Sequence, residues 1–278
     1  MFTVPLPVIG TDVVWRDAAK RLIGAGVSPH DILWDYGDTM GELFETDTPL
    51  PAPTRRVKAP QSFVQLSQNV VWHKDPQRFA RLYALLWRLR HQPRLMQDRA
   101  DPELAKLRQM EKAVNRCRHK MKAFVRFRDL RQGGERRSFA AWFEPTHHTV
   151  EPTAPFFARR FADMDWMIAT PDVTAQFVDG NLSFHPGQPK PDLPEDAAEA
   201  LWGTYFCNIF NPARVKVQAM TSEMPKKYWK NMPEAAHIPE LIRNAERRVQ
   251  EMRDAAPTLP PERAERILKQ LRGDDQAE

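Results

Sequence analysis

Cysteine is nearly absent: Cys117 and Cys207 are the only two in 278 residues. With no Cys-x-x-Cys pair and no cluster of three, the sequence excludes a cysteine-ligated zinc or iron–sulfur site within the chain. Each falls in an apolar helical stripe and reads as a reduced, buried thiol, and no metal or cofactor is expected. Glycine is also sparse, 11 residues spread thinly, which leaves no phosphate-cradling loop, no dinucleotide-binding turn, no G-x-S-x-G and no H-E-x-x-H. Long apolar runs are missing too. None approaches the roughly 18 residues that a membrane span needs, so no membrane association is expected. The first ten residues lack a basic stretch followed by an apolar one, so no secretory signal is expected and a cytoplasmic location is.

What the chain has is positive charge in one place. Between Lys106 and Arg137 twelve lysines and arginines face only Glu111, Asp129 and Glu135, a net of +9 in 32 residues, while the whole chain carries +5 and the remainder therefore −4. A localised positive field attracts a polyanion and does little for folding. Asp101-Pro102-Glu103 reads as an N-cap, a proline at the first helical position and an acid in the first turn. Leu104, Leu107, Met110, Val114, Cys117 and Met121 follow as one apolar helical stripe. From Met121 the pattern alternates: Met121, Ala123, Val125 and Phe127 against Lys122, Phe124, Arg126 and Arg128. This predicts a half-buried strand, turned by Gly133-Gly134 into a return strand through Phe139, Ala141 and Phe143. The polar face of that hairpin would show Lys122, Phe124, Arg126, Arg128 and Trp142 together. Cations set beside exposed rings suit unstacked nucleotides, because phosphates take the charge and bases take the rings. The alternative is a solvated basic face with the rings under a neighbouring helix.

The remaining pattern predicts an α+β fold. Its N-terminal half is helical, a central antiparallel sheet of two hairpins carries a crossing helix, and the C-terminal part is helical. Thr11 or Asp12 caps a first helix ended by Gly24 and Gly26. A proline-rich stretch closes an N-terminal segment of residues 1–60, a main domain spans 61–255, and 256–278 form a polar tail. Thr153 to Ala162 reads as the crossing helix, with Arg159 and Arg160 outward. Asp179-Gly180-Asn181 is a hairpin turn.

Three stretches carry candidate chemistry. His147, His148 and Glu151 hold groups able to shuttle protons, contact phosphate or ligate a metal, or simply to hydrogen-bond within the structure. Pro145 and Pro152 favour extended backbone there, with His147 and Glu151 on one side and His148 on the other. Asn211-Pro212 followed by Arg214 and Lys216 has the form of a helix N-terminus that accepts a phosphate, or of an ordinary cap. Lys226, Lys227 and Tyr228 beside Trp229 form either a second stacking and phosphate patch or lysines around a core anchor.

The runs His119–Arg128 (HKMKAFVRFR), Ala141–Asp172 and Asn211–Ala235 together resemble a bacterial family of unknown function associated with DNA metabolism and repair. That domain occurs fused to UdgX-type uracil-DNA glycosylases, or encoded beside a DNA-repair radical SAM protein. The resemblance implies a DNA-binding accessory role toward such a partner, with His119, Lys120, Lys122, Arg126, Arg128, Arg159, Arg160, Arg214, Lys216, Lys226 and Lys227 on phosphates and Phe124, Trp142 or Tyr228 on bases. It carries over no catalytic residue. Lacking the cluster cysteines of either partner enzyme, this polypeptide is not expected to excise uracil itself. Two other readings stand beside it: an enzyme acting on a nucleobase or nucleotide through His147, His148 and Glu151, and an adaptor whose basic face docks an acidic protein.

Overall fold

A computed structural model describes residues 1–37, 49–55, 57–130, 136–191, 207 and 217–254. The chain opens with a parallel strand pair, β1 (Phe2–Leu6) and β2 (Ile32–Tyr36), in the register Phe2↔Ile32 to Leu6↔Tyr36. Helix α1 (Thr11–Gly24) makes the crossover between them, as a parallel pairing requires. Gly10, at φ 75°, turns the chain into α1, and Gly26, at φ 76°, turns it out. There Gly26 N–H donates to Ile23 O and Val27 N–H to Leu22 O, the paired bonds that close a helix through a left-handed residue. Sequence periodicity did not expose β1, whose Pro5 breaks the usual strand pattern.

Helices α2 (Gln61–Val70), α3 (Arg78–Leu89) and α4 (Pro102–Phe124) follow. Asp101 caps α4 as its sequence predicts, accepting from Leu104 N–H at 2.8 Å. The helix runs further than predicted. Val125 N–H still reaches back to Met121 O, so residues 121–124 are the last helical turn and not the start of a strand. Four alternating residues fit either period, and the stripe from Leu104 already sets the helical one. The hairpin's first strand is accordingly short: β3 (Arg128–Asp129) pairs with β4 (Ser138–Trp142) antiparallel, Arg128 opposite Ala140.

The sheet is ordered β3-β4-β5-β6-β7, with β5 (Asp165–Ala169), β6 (Val173–Val178) and β7 (Asn181–Pro186). The fold is α+β, helical at both ends around a central sheet. One pairing departs from the all-antiparallel expectation. β4 and β5 run parallel, Ser138↔Asp165 to Trp142↔Ala169, because helix α5 (Val150–Arg160) crosses between them and returns the chain to the same edge. Asp179 and Gly180, at φ 49° and 80°, form the β6–β7 turn, the doubly left-handed geometry favoured in two-residue hairpins. Beyond the sheet lie α6 (Val217–Glu223), two short 3₁₀ segments, α7 (Ile238–Arg243) and α8 (Ala245–Asp254).

Two cores share one helix. Leu104, Leu107, Met110 and Val114 of α4 pack with β1, β2, α1, α2 and α3, so residues on both sides of position 60 build the first core. Met121 packs with α5, the sheet and residues 228–238 in the second. Cys117 sits between them, its Sγ 3.4 Å from Thr149 Oγ1. Helix α4 is therefore the beam that fixes the sheet against the N-terminal part. Among the described residues no helix is long and apolar enough to cross a membrane.

Candidate nucleic-acid interface

The apolar stripe of α4 faces inward, which leaves Lys112, Arg116, His119 and Lys122 exposed on the opposite face, spaced by three or four residues as one side of a helix demands. Helix α5 lies alongside. Arg118 Nη2 donates to Pro152 O at 3.1 Å, and one turn further Lys122 Nζ stands 4.8 Å from the Phe156 ring centre. Both contacts advance together along the chain, so the helices run the same way. Arg159 and Arg160, exposed in the last turn of α5, continue the charge of α4. Arginine is also favourable there, at the negative end of a helix dipole. The result is a cationic ridge on two helices; Lys226 and Lys227 are exposed elsewhere, over the rings of Trp229 and Tyr228.

Other members of the predicted set are not on that ridge. Lys120 is 7% exposed, and its Nζ donates to Ser222 O and Glu223 O at 2.9 Å each; it ties off the C-terminal end of α6. Burial first, and Arg116 next, lower its pKa. Arg126 Nε donates to Glu234 Oε1 at 3.2 Å, and that carboxylate is 3% exposed, so Arg126 neutralises an internal acid. Outside the predicted set, Arg136 is bound to Asp165 at 2.8 Å, and Arg116, on the exposed face of α4, is paired with exposed Glu223 at 3.0 Å. Arg128 is half-buried in β3. Arg214 and Lys216 lie outside the described residues.

The rings are also placed differently from the expectation. Tyr228 is buried, stacked on Phe143 at 5.2 Å with Phe124 against its other side at 5.3 Å. Trp142 is buried in the sheet, and Trp229 is half-buried with Nε1–H donating to Met224 O at 2.9 Å. Phe124 was grouped with Lys122 by assuming a strand. On a helix, two residues are about 200° apart, so Lys122 faces water and Phe124 faces the core. Tyr228 and the partly buried Phe124 pack in the second core, and Trp142 is buried in the sheet, so the three rings are committed to packing.

His147, His148 and Glu151 diverge. The His147 ring stacks on His73 at 4.3 Å, and its Nδ1 accepts from Lys74 N–H at 3.2 Å. His148 turns the other way, with Nδ1 3.2 Å from Asp172 Oδ2 and its ring 5.2 Å from Tyr36. Glu151 Oε2 accepts from Gly10 N–H at 2.9 Å, and α5 begins at Val150, which puts Glu151 in its first turn with Pro152, where proline is tolerated. The cavity beside His148, Glu151 and Asp172 holds about 10 Å³, no more than one water. Burial lowers His147 to about 4, with smaller contributions from His73, Lys74, His148 and Lys227, and raises Glu151 despite the Gly10 N–H. The three side chains share no substrate-sized space, and a nucleobase-processing site built from them is not assembled. Among the described residues no group of three or more His, Cys, Asp or Glu could hold a metal ion.

Sequence reasoning missed Arg78, Tyr36 and His73. Arg78 is 1% exposed, its guanidinium 4.4 and 4.0 Å from the ring centres of Tyr36 and Phe79, with Nε donating to Val71 O at 2.8 Å. Nothing local marks it, since its neighbours in space come from β2 and the end of α2.

The sequence profile of a domain of unknown function, DUF4130, matches residues 76–234, from the start of α3 to the buried Glu234 partner of Arg126. No curated protein and no solved structure matches the chain.

Proposed function

The chain belongs to the DUF4130 family, and we propose that it is a DNA-binding accessory protein of DNA repair or DNA metabolism that grips the phosphate backbone with the α4–α5 ridge. The carrying observation is the alignment of Lys112, Arg116, Lys122, Arg159 and Arg160 along two parallel helices, all exposed. With the nearby aromatic rings committed to the core, recognition rests on charge and not on base stacking, so single strands and duplexes bind comparably. A partner glycosylase or radical SAM enzyme supplies the chemistry in this reading.

On a duplex about four phosphate contacts give a slope of log affinity on log salt near −3.6, or about a hundredfold loss between 50 and 200 mM salt, and on a single strand a slope near −2.8. Fluorescence anisotropy with single-stranded, duplex and uracil-containing oligonucleotides measures it. Replacing Lys122, Arg159 and Arg160 with Gln should flatten the duplex slope by about 0.9 per residue and the single-strand slope by about 0.7. Absence of binding, or an affinity indifferent to salt, removes the proposal.

A further inference from the structure

We propose that the stacked imidazoles of His73 and His147, together with the ammonium groups of Lys74 and Lys227, form a binding site for a dianionic phosphate, the terminal monoester of a nucleic-acid strand. For the source of the phosphate this rests on the nucleic-acid reading above; the site itself rests on separate geometry.

Both imidazoles are oriented by the same turn. Lys74 N–H donates to His147 Nδ1 at 3.2 Å, and Asp75 N–H donates to His73 Nδ1 at 3.0 Å. A nitrogen that accepts from an amide carries no proton, so each neutral ring holds its proton on Nε2. With both Nδ1 edges turned to consecutive amides and the rings 4.3 Å apart and inclined by 30°, the two Nε2–H donors leave that turn side by side. Among the described residues no hydrogen bond engages either of them.

The surroundings add donors and positive charge. Lys227 Nζ contacts Thr146 Oγ1, next to His147 in sequence. Lys74, Thr146 and Lys227 are all exposed, so an incoming group can reach them. The charged neighbours of the two rings are Lys74, Lys227, buried Arg78 and the Asp75 carboxylate, three cations against one anion. On the far side His148 is taken by Asp172. A cluster of donors with a surplus of two positive charges matches a phosphate dianion. Lys227 also lies near Lys120 of α4, on the side of that helix that meets α6.

Long-range ¹H–¹⁵N spectra of the full chain in phosphate-free buffer should show His73 and His147 as Nε2–H tautomers. Adding inorganic phosphate should shift both and raise the His147 titration midpoint by at least one pH unit. Lys74→Gln and Lys227→Gln, at exposed positions, should keep the fold and weaken phosphate binding at least tenfold. A 5′-phosphorylated oligonucleotide should bind at least tenfold tighter than its 5′-hydroxyl counterpart. That preference should vanish in the two lysine variants and survive in the Lys122, Arg159 and Arg160 variants. Phosphate binding without an end preference supports the site and assigns it a free phosphate compound. Histidine signals that ignore phosphate overturn the site, and oligonucleotide binding that persists then leaves the ridge standing. Phosphate binding without oligonucleotide binding keeps the site and removes the ridge.

Discussion

Lowering the pH from 7 to 4.5 protonates the His147 position in the unfolded chain far more than in the native one. Burial first, then the neighbouring cations, hold the native imidazole at about 4, against about 6.5 in an open chain. The unfolded state therefore binds more protons across that interval, and stability falls as the pH is lowered through it. Integrated down to pH 4.5, the loss from His147 alone is about 2.5 kcal/mol. His73 is lowered as well, by burial first, and adds in the same direction. Glu151, raised by burial, opposes them, because the native state takes up its proton before the unfolded one does. Asp101, Asp165 and Asp172 are held down by Arg88, Arg136 and His148 respectively, from a reference of 3.8, so their losses come at lower pH. Urea denaturation in phosphate-free buffer at both pH values tests this. Wild type should lose at least about 2 kcal/mol. His147→Asn keeps an acceptor for Lys74 N–H but cannot titrate. It should start less stable at pH 7, by about 1–2 kcal/mol for the lost stacking and packing, and then lose much less on acidification. Equal acid losses in wild type and variant, or a wild type whose stability is flat over this range, would refute the assignment.

Arg78→Ala should cost about 3 kcal/mol or more, since it opens a cavity beside two rings and strips a donor from a buried carbonyl; Arg78→Met, which refills the space without a buried charge, should recover most of that in chemical denaturation. Asp101→Ala removes both the α4 cap and the Arg88 pair and should cost about 1–2 kcal/mol, while Asp101→Asn keeps the cap and should cost less, read from thermal melting monitored by circular dichroism. Gly187→Ala would place its Cβ 1.9 Å from Pro171 O. Because that obstacle is backbone, the melt should show a loss above about 2 kcal/mol; a variant as stable as wild type would mean that the 171–172 and 187 segments do not pack as described.

Much of the fold is written locally. Asp101-Pro102 and the stripe from Leu104 specify α4, Asp179-Gly180-Asn181 specifies the β6–β7 turn, and the crossing helix follows from its own apolar spacing. These signals act over three or four residues, the reach of a helical turn or a hairpin. The end of α4 was not legible because four alternating residues satisfy two periods at once. That ambiguity misplaced Phe124 and, with it, the aromatic half of the expected interface.

The sequence by itself determined that positive charge is concentrated between residues 106 and 137 and that helix leads into sheet there. Only the tertiary structure decided which cations remain available. Packing sent Lys120 under α6 and Arg126 onto Glu234, left Lys122, Arg159 and Arg160 in water, and stacked His73 on His147 across two distant segments. The physical reason is that a charged side chain's role is set by desolvation and by its partners, and both come from elements that meet only after the chain has folded.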